Sequence, residues 1–230
     1  MSIRALGERL AGLVRDPYAV RSYAQEGEDL VLRRIFEHRP SGFYVDVGAH
    51  HPRRFSNTYL FYLAGWRGIN VEPNPDLAPL FGRERPRDIT LELGVSDVPG
   101  VLTYYRFNDA ALNTFDPELA RERDGLRDYR IVGTAEVRVE RLDDILARHL
   151  PAGTRIDFLS VDVEGHDVQV LRSNDWERFR PEVVLAEALG ASLGGATSSP
   201  VHEVMARQGY ELFGKTVHTL FFRDAATERV

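Results

Sequence analysis

The chain has 230 residues, 43% of them hydrophobic and 28% charged, with a formal net charge of −6 at pH 7. This length suits one compact domain with a large core, and the negative charge disfavours nonspecific binding to nucleic-acid phosphates. Because the chain has no cysteine, disulfides, thiolate metal sites and a cysteine nucleophile are excluded, and a metal would need carboxylate or imidazole ligands.

The first 40 residues carry two helical signals. Apolar residues recur at helical spacing near the N-terminus, at Ile3, Leu6, Leu10, Leu13 and Val14. Charges interrupt this stretch, unlike a signal peptide, and no apolar run reaches the ~18 residues of a membrane span, so we expect a cytoplasmic protein. Further on, Ser22 and Gln25 stand three apart, as in a capping box that begins a helix. We predict a helical extension over residues 1–40.

From residue 43 onward, β-rich runs alternate with segments of helical pattern. The runs are nearly continuous in apolar residues, as expected of parallel strands buried on both faces; they are "FYVDV", "GINVEP", "DITLELGVSD", "IDFLSVDVEG" and "PEVVLAEA". The chain closes with "YELFGK" and "VHTLFFRD", which suit an antiparallel hairpin. A less regular insert occupies residues 98–155, and its end is predicted as a strand followed by a helix. We predict one doubly wound, mostly parallel α/β domain over residues 41–230.

Acidic residues fall at the ends of the predicted strands. They are Asp46, Glu72, Asp97, Asp162 and Glu187, separated by 26, 25, 65 and 25 residues. One strand and one helix therefore separate consecutive acids, except across the insert. Because ligands of open α/β sheets bind beyond the carboxyl ends of the strands, we expect these carboxylates to converge at one edge of the sheet.

The convergence of acids favours one class of nucleotide ligand over another. The pyrophosphate of NAD is recognised by G-x-G-x-x-G, but here only Gly48 is present, and His50 and Arg53 occupy the other two positions. S-adenosylmethionine has no phosphate; it offers an ammonium, a sulfonium and a ribose diol. Three acids could bind these groups: Asp46 near the methionine end, Glu72 at the ribose hydroxyls and Asp97 near adenine.

A series of motifs carries a resemblance to a known family. "SYAQEGEDLVL", "FYVDVGAHHP", "NVEPNP", "GVSD", "LNTF", "VERLDDIL" and "LSVDVEGHDVQVLRS" occur in that order over roughly residues 20 to 190. Together they resemble the FkbM-type methyltransferases, a branch of the class I S-adenosylmethionine-dependent methyltransferases with a Rossmann-like fold. The sequence departs from that pattern at His51-Pro52, where asparagine and glycine are frequent, and at Ser160, where lysine is frequent.

The resemblance implies a seven-stranded sheet with an antiparallel last strand, and methyl transfer to oxygen. The acceptor it implies is a sugar hydroxyl of a polysaccharide, lipopolysaccharide, sugar nucleotide or glycosylated natural product. We expect the partners to be S-adenosylmethionine and such a carbohydrate, and a homodimer stays open. The expected cofactor contacts are Asp46, Gly48, His50, Glu72, Pro73, Ser96, Asp97 and Asp162.

Methyl transfer must also manage the proton of the acceptor hydroxyl. Either a general base accepts it, or a divalent cation lowers the pKa of the hydroxyl. The segment "VDVEGHD" supplies Asp162, Glu164 and His166 as catalytic candidates, and Asp162 with Glu187 is a candidate site for Mg²⁺ or Mn²⁺. Of these two routes we favour the metal-free base.

Two other functions stay open at this point. One is an NAD(P)-dependent sugar-nucleotide oxidoreductase, which the missing glycines and the lack of a Y-x-x-x-K pair disfavour. The other is a noncatalytic binding module that has kept the fold, against which the full set of strand-end acids argues.

Overall fold

The computed structural model of the chain describes residues 18–227. Within that range ten strands and seven α-helices occur. In chain order the strands are β1 (Phe43–Val47), β2 (Arg67–Val71), β3 (Ile89–Leu91), β4 (Gly94–Val95), β5 (Gly100–Phe107), β6 (Ile131–Glu140), β7 (Phe158–Val161), β8 (Val183–Glu187), β9 (Tyr210–Lys215) and β10 (Thr219–Asp224). The helices are α1 (Glu28–Ile35), α2 (Tyr59–Leu63), α3 (Ala78–Glu84), α4 (Pro117–Arg123), α5 (Leu142–His149), α6 (Asp167–Arg172) and α7 (Pro200–Arg207). The helix predicted between Ile3 and Val14 lies outside the described residues.

Seven of the described strands form the main sheet, in the order β3-β2-β1-β7-β8-β10-β9. β10 runs antiparallel to both of its neighbours, and the other pairs are parallel. The prediction of a doubly wound, mostly parallel sheet with an antiparallel last strand is therefore confirmed. The direction of strand order reverses between β1 and β7, which is the position where open α/β sheets bind their ligands. No helix in the described range is both long and apolar enough to cross a membrane.

The core lies on both faces of the main sheet because its central strands alternate their side chains between two layers. In β1, Val45 and Val47 face the layer that contains residues of α5, α6 and α7. Tyr44, between them in sequence, faces an aromatic layer with residues of α1 and α2. All five residues of β1 are buried, including the carboxylate-bearing Asp46. Because no face of this strand is exposed to solvent, the polar groups at its end are also removed from water.

The insert forms a second, three-stranded sheet in the order β4-β6-β5. β5 and β6 pair antiparallel along most of their length, from Gly100 opposite Val139 to Phe107 opposite Ile131. The stretch predicted as one strand, residues 88–97, is divided: β3 joins the main sheet, and β4 joins this second sheet. The prediction that Asp97 ends a strand of the main sheet is therefore wrong, because it follows β4.

The start of α1 also differs from the prediction. The helix begins at Glu28, after Gly27 in the left-handed conformation with φ 87°. Ser22 Oγ donates to Asp29 Oδ1 at 2.6 Å, and the Tyr23 N–H donates to Asp29 Oδ2 at 2.7 Å. The capping box predicted from Ser22 and Gln25 is wrong, because Asp29 instead organises the loop that precedes the helix.

A buried arginine joins the strands to the loop that follows β1. Arg85 is fully buried and pairs with Asp88 at 2.8 Å. Its Nη2 also donates to the Tyr44 hydroxyl at 2.8 Å and to Thr58 Oγ1 at 3.0 Å. Asp88 in turn accepts the N–H of Gly68 at 2.9 Å, so the ion pair contacts both β1 and β2. Because every charge in this network has a partner, burial of the guanidinium is tolerated.

We expect Arg85→Met to lower the free energy of unfolding by roughly 3 to 5 kcal/mol, because it leaves the Asp88 carboxylate buried without its cation. Denaturant unfolding at pH 7 measures this change. Arg83→Met, on the exposed side of α3, is the matched control and should change stability by less than about 0.5 kcal/mol. Equal losses of stability in the two variants would show that the ion pair does not stabilise the fold.

Candidate functional site

A cleft lies at the carboxyl ends of β1, β2 and β7, on the side covered by the second sheet. The main sheet contributes the floor and one wall of the cleft, and the insert contributes the opposite wall. The lining residues are Gln25, Val47, Gly48, His50, Phe55, Val71, Glu72, Pro73, Leu93, Gly94, Val95, Tyr104, Ala110, Ala111, Asn113, Phe115, Asp162, Val163 and Glu164.

Gly48 is the residue at which the chain leaves β1 and enters the cleft. Its φ of 80° lies in the left-handed region, and its N–H donates to the carbonyl of Val71 at 2.9 Å. A Cβ at this position would lie 1.8 Å from the carbonyl oxygen of Asp162. The single glycine of this turn is therefore required by the close approach of the chain to the end of β7, as well as by its own conformation.

His50 and His51 have different surroundings. His51 Nδ1 accepts the N–H groups of Arg53 and Arg54 at 3.0 and 3.1 Å, so it shapes the loop. His50 lines the cleft, and its Nε2 is buried with no hydrogen-bond partner among residues 18–227. Burial lowers the pKa of His50 to about 4, with the nearby Arg54 charge adding to the effect. The imidazole is thus neutral at pH 7 and has one unsatisfied nitrogen among the described residues.

Glu72 follows β2 and is only 3% exposed. Its two oxygens accept the backbone N–H groups of His50 at 2.7 Å and Asn74 at 2.8 Å, which fix the carboxylate in the wall of the cleft. Burial nevertheless raises the pKa of Glu72 to about 8. Hydroxyl donors from a ligand would favour the ionised form, because each added hydrogen bond to a carboxylate stabilises its charge.

Three carboxylates meet at the ends of β7 and β8. Asp162, Glu164 and Glu187 each offer an oxygen, and these oxygens lie within 4.8 Å of one another. Arg123, from α4 of the insert, donates to Glu164 at 2.5 Å. Burial first, and then repulsion between the neighbouring acids, raise the pKa values of Asp162 and Glu187. The cluster is therefore short of positive charge, because one arginine faces three acids.

Five residues predicted at the site are not among the described residues that line the cleft: Asp46, Ser96, Asp97 and His166, and the predicted metal ligand Glu187. Asp46 lies behind the wall and accepts a hydrogen bond from Thr58 Oγ1 at 2.7 Å. The His166 ring contacts Ser96 Oγ at 3.0 Å through Nε2. Asp46, Ser96, Asp97 and His166 have hydrogen-bond contacts with neighbouring side chains, and their role at the site stays a prediction.

Sequence reasoning missed two groups of the insert that contact the site. Arg123 pairs with Glu164, 41 positions further along the chain, and no local pattern signals that pairing. Asn113, within the motif "LNTF", lines the cleft and accepts the Phe107 N–H at 2.7 Å. Tyr104 is 5% exposed and packs against Phe115 with ring centroids 4.8 Å apart, and it also lines the cleft.

One protein family and several solved structures are similar to this chain. The family model described as the methyltransferase FkbM domain matches residues 46–212. Among solved structures, the chain is similar to a TehB-like SAM-dependent methyltransferase from Corynebacterium glutamicum, with 15% identity, 96% of this chain and 97% of that chain covered, and a TM-score of 0.42. A methyltransferase from Geobacter sulfurreducens is 15% identical over 97% of this chain and 88% of that chain, with a TM-score of 0.47. The O-methyltransferase from Bacillus cereus is 9% identical over 96% and 90% of the two chains, with a TM-score of 0.40. A comparison with curated proteins gives no significant sequence match.

The close approach at Gly48 predicts a large effect of adding one methyl group there. We expect Gly48→Ala to lower the free energy of unfolding by at least about 2 kcal/mol more than Gly65→Ala, measured by denaturant unfolding. Gly65 is the matched control: its φ is also positive, at 96°, but a Cβ there meets nothing within 4 Å. The control therefore carries only the conformational penalty, and equal losses would show that the contact with Asp162 is relieved by a small shift.

Proposed function

The chain belongs to the FkbM methyltransferase domain family, and from this premise we propose that it transfers a methyl group from S-adenosylmethionine to a hydroxyl oxygen of a carbohydrate-type acceptor. The observation that carries the proposal is the cleft at the ends of β1, β2 and β7, where one glycine makes the turn and buried carboxylates form the wall. A pyrophosphate would meet these acids with charge repulsion, whereas S-adenosylmethionine brings two positive groups and a ribose diol.

The residues of the cleft fit that molecule. Glu72, held by two backbone N–H groups, has oxygen lone pairs left for the ribose hydroxyls. His50 Nε2, buried and without a partner among the described residues, suits a polar group of the same ligand. Gly48 lets the backbone come close, and Pro73 limits the turn after Glu72. We do not include Asp46, Ser96 and Asp97 among the cofactor contacts, because they lie outside the lining of the cleft.

When bound, S-adenosylmethionine supplies a methyl group on sulfur. Transfer forms a bond from the acceptor oxygen to the methyl carbon, while the carbon–sulfur bond breaks and leaves its electron pair on sulfur. The task of the protein is to hold the acceptor oxygen in line with that bond and to take up its proton. We propose Asp162 as the proton acceptor, since it lines the cleft and burial raises its pKa. Glu164 is held by Arg123, and His166 is turned toward Ser96.

The acceptor side of the cleft favours a molecule rich in hydroxyl groups. The insert presents the Asn113 amide and the Tyr104 ring there, and Gln25 lines the cleft from the loop before α1. A carbohydrate offers both hydroxyl donors for carboxylates and apolar ring faces for aromatic side chains. These features support the sugar acceptor, and they give no preference among polysaccharide, lipopolysaccharide, sugar nucleotide and glycosylated natural product.

The test is a pair of measurements on the purified chain. We expect isothermal titration to show binding of S-adenosylhomocysteine and no binding of NAD(P), and we expect labelled S-adenosylmethionine to pass its methyl group to a member of a panel of sugar nucleotides and glycans. Asp162→Asn should lower turnover by about 10² to 10⁴ while leaving S-adenosylhomocysteine affinity nearly unchanged. Asp128→Asn, on an exposed loop, is the control and should behave as the unsubstituted chain.

Each other outcome contradicts a part of the proposal. Binding of NAD(P) alone would favour an oxidoreductase, and binding without turnover on any acceptor would favour a noncatalytic module. An equal loss of affinity and turnover in Asp162→Asn would make Asp162 a binding residue.

Glu72 predicts a pH dependence of cofactor binding. With a pKa of about 8 in the free protein, Glu72 is largely protonated at pH 6.5 and must lose its proton to accept the ribose hydroxyls. The affinity for S-adenosylhomocysteine should therefore rise by up to about tenfold per pH unit between pH 6.5 and 8, and level off above that range. Glu72→Gln should remove this slope and weaken binding at pH 8.5 by roughly 1 to 3 kcal/mol.

Isothermal titration across this pH range, with the exposed Glu92→Gln as the matched control, separates the effect of Glu72 from a general effect of pH. A slope that persists unchanged in Glu72→Gln would assign it to another group.

A further inference from the structure

We propose that Asp162, Glu164 and Glu187 bind a divalent cation of the hard, oxygen-preferring class, Mg²⁺ or Mn²⁺. The inference rests on the proposed function and deepens it, because two of the three residues line the same cleft. The three residues offer oxygens within 4.8 Å of one another, a separation that one ion with several carboxylate ligands can span.

The backbone brings the three residues together from separate places in the chain. β7 and β8 are parallel neighbours with Val161 opposite Ala186, so Asp162 and Glu187 end adjacent strands at the same edge. Glu164 returns to this edge because it and Gly165 both have positive φ, 53° and 93°. Thr114 Oγ1 donates to the Glu164 carbonyl at 2.6 Å, which ties the turn to the insert.

Glu187 gives a second, independent indication of a ligand at this cluster. The residue is 8% exposed, and its Oε2 is buried with no hydrogen-bond partner in the range 18–227. Another buried acid in the chain is satisfied: Glu182 pairs with Arg39 and Arg155. A buried carboxylate oxygen without a donor is unfavourable, so an oxygen placed in this way beside two further acids is matched best by a cation.

Charge balance points in the same direction. Within the described chain, Arg123 is the basic side chain that forms an ion pair with the cluster, and it contacts Glu164. Asp162 and Glu187 form no ion pair with a basic side chain of residues 18–227. A divalent ion would balance the two remaining carboxylates, and it would lower the pKa of an acceptor hydroxyl bound to it. The proton would then leave to a carboxylate oxygen that the ion does not use, or to water.

The direct test measures binding of Mn²⁺ to the full chain, which is first treated with EDTA and then freed of the EDTA. Binding is monitored by electron paramagnetic resonance of the free ion and by isothermal titration. We expect one saturable site per chain, competed by Mg²⁺. Glu187→Gln keeps the shape of the side chain and should weaken Mn²⁺ binding at least tenfold. Glu203→Gln, on the exposed face of α7, is the matched control and should bind as the unsubstituted chain.

Titration with S-adenosylhomocysteine in EDTA separates this inference from the proposed function and also reports whether Glu187→Gln is folded. Cofactor binding without saturable Mn²⁺ or Mg²⁺ binding would overturn the metal site and leave the methyltransferase proposal standing. Equal Mn²⁺ affinity in Glu187→Gln, with its cofactor binding intact, would also overturn the site. Mn²⁺ binding that depends on Glu187 supports the site, even if no cofactor binds and the proposed function fails.

Discussion

Removal of carboxylates from water at one edge of the main sheet is the constraint on which the other features depend. The central strands are buried on both faces, so an acid at the end of such a strand is surrounded by apolar residues. The chain compensates these acids to different degrees. Glu72 accepts two backbone N–H groups, Glu164 has an arginine, and Glu187 has an oxygen without a partner among the described residues. The acid with the fewest partners is the one at which a bound ligand would stabilise the structure most.

The fixed position of these groups comes from interactions beneath the cleft. Arg85, buried with Asp88, connects β1 and β2 to the loop that carries Thr58, and Thr58 donates to Asp46. Asp46 is therefore joined to the interactions beneath the cleft. At Gly48 the chain passes so close to Asp162, at the end of β7, that no side chain fits there. The ends of β1 and β7 are thus held at contact distance, which fixes the position of Asp162 in the lining of the cleft and favours pre-organised binding.

The insert is part of the site as well as a cover for it. Its second sheet brings Tyr104 to one wall, the segment after β5 brings Asn113, and α4 brings Arg123 to Glu164. Thr114 also contacts the backbone of the turn that contains Glu164. The insert thus contributes both to the lining of the cleft and to the arrangement of the acids.

The sequence by itself determined the features that local pattern encodes. Continuous apolar runs predicted the buried parallel strands, and the missing glycines after Gly48 predicted a site unsuited to a pyrophosphate. The motif order indicated the family that the model match over residues 46–212 then showed. Tertiary structure decided the rest: α1 begins at Glu28 because Asp29 binds the preceding loop, and β4 leaves the main sheet to pair with β6. It also decided that Arg123 meets Glu164 and that Glu187 Oε2 has no partner in the described range. A strand or a turn depends on neighbouring residues, whereas the partner of a buried charge depends on packing between segments far apart in the chain, and no local pattern contains that information.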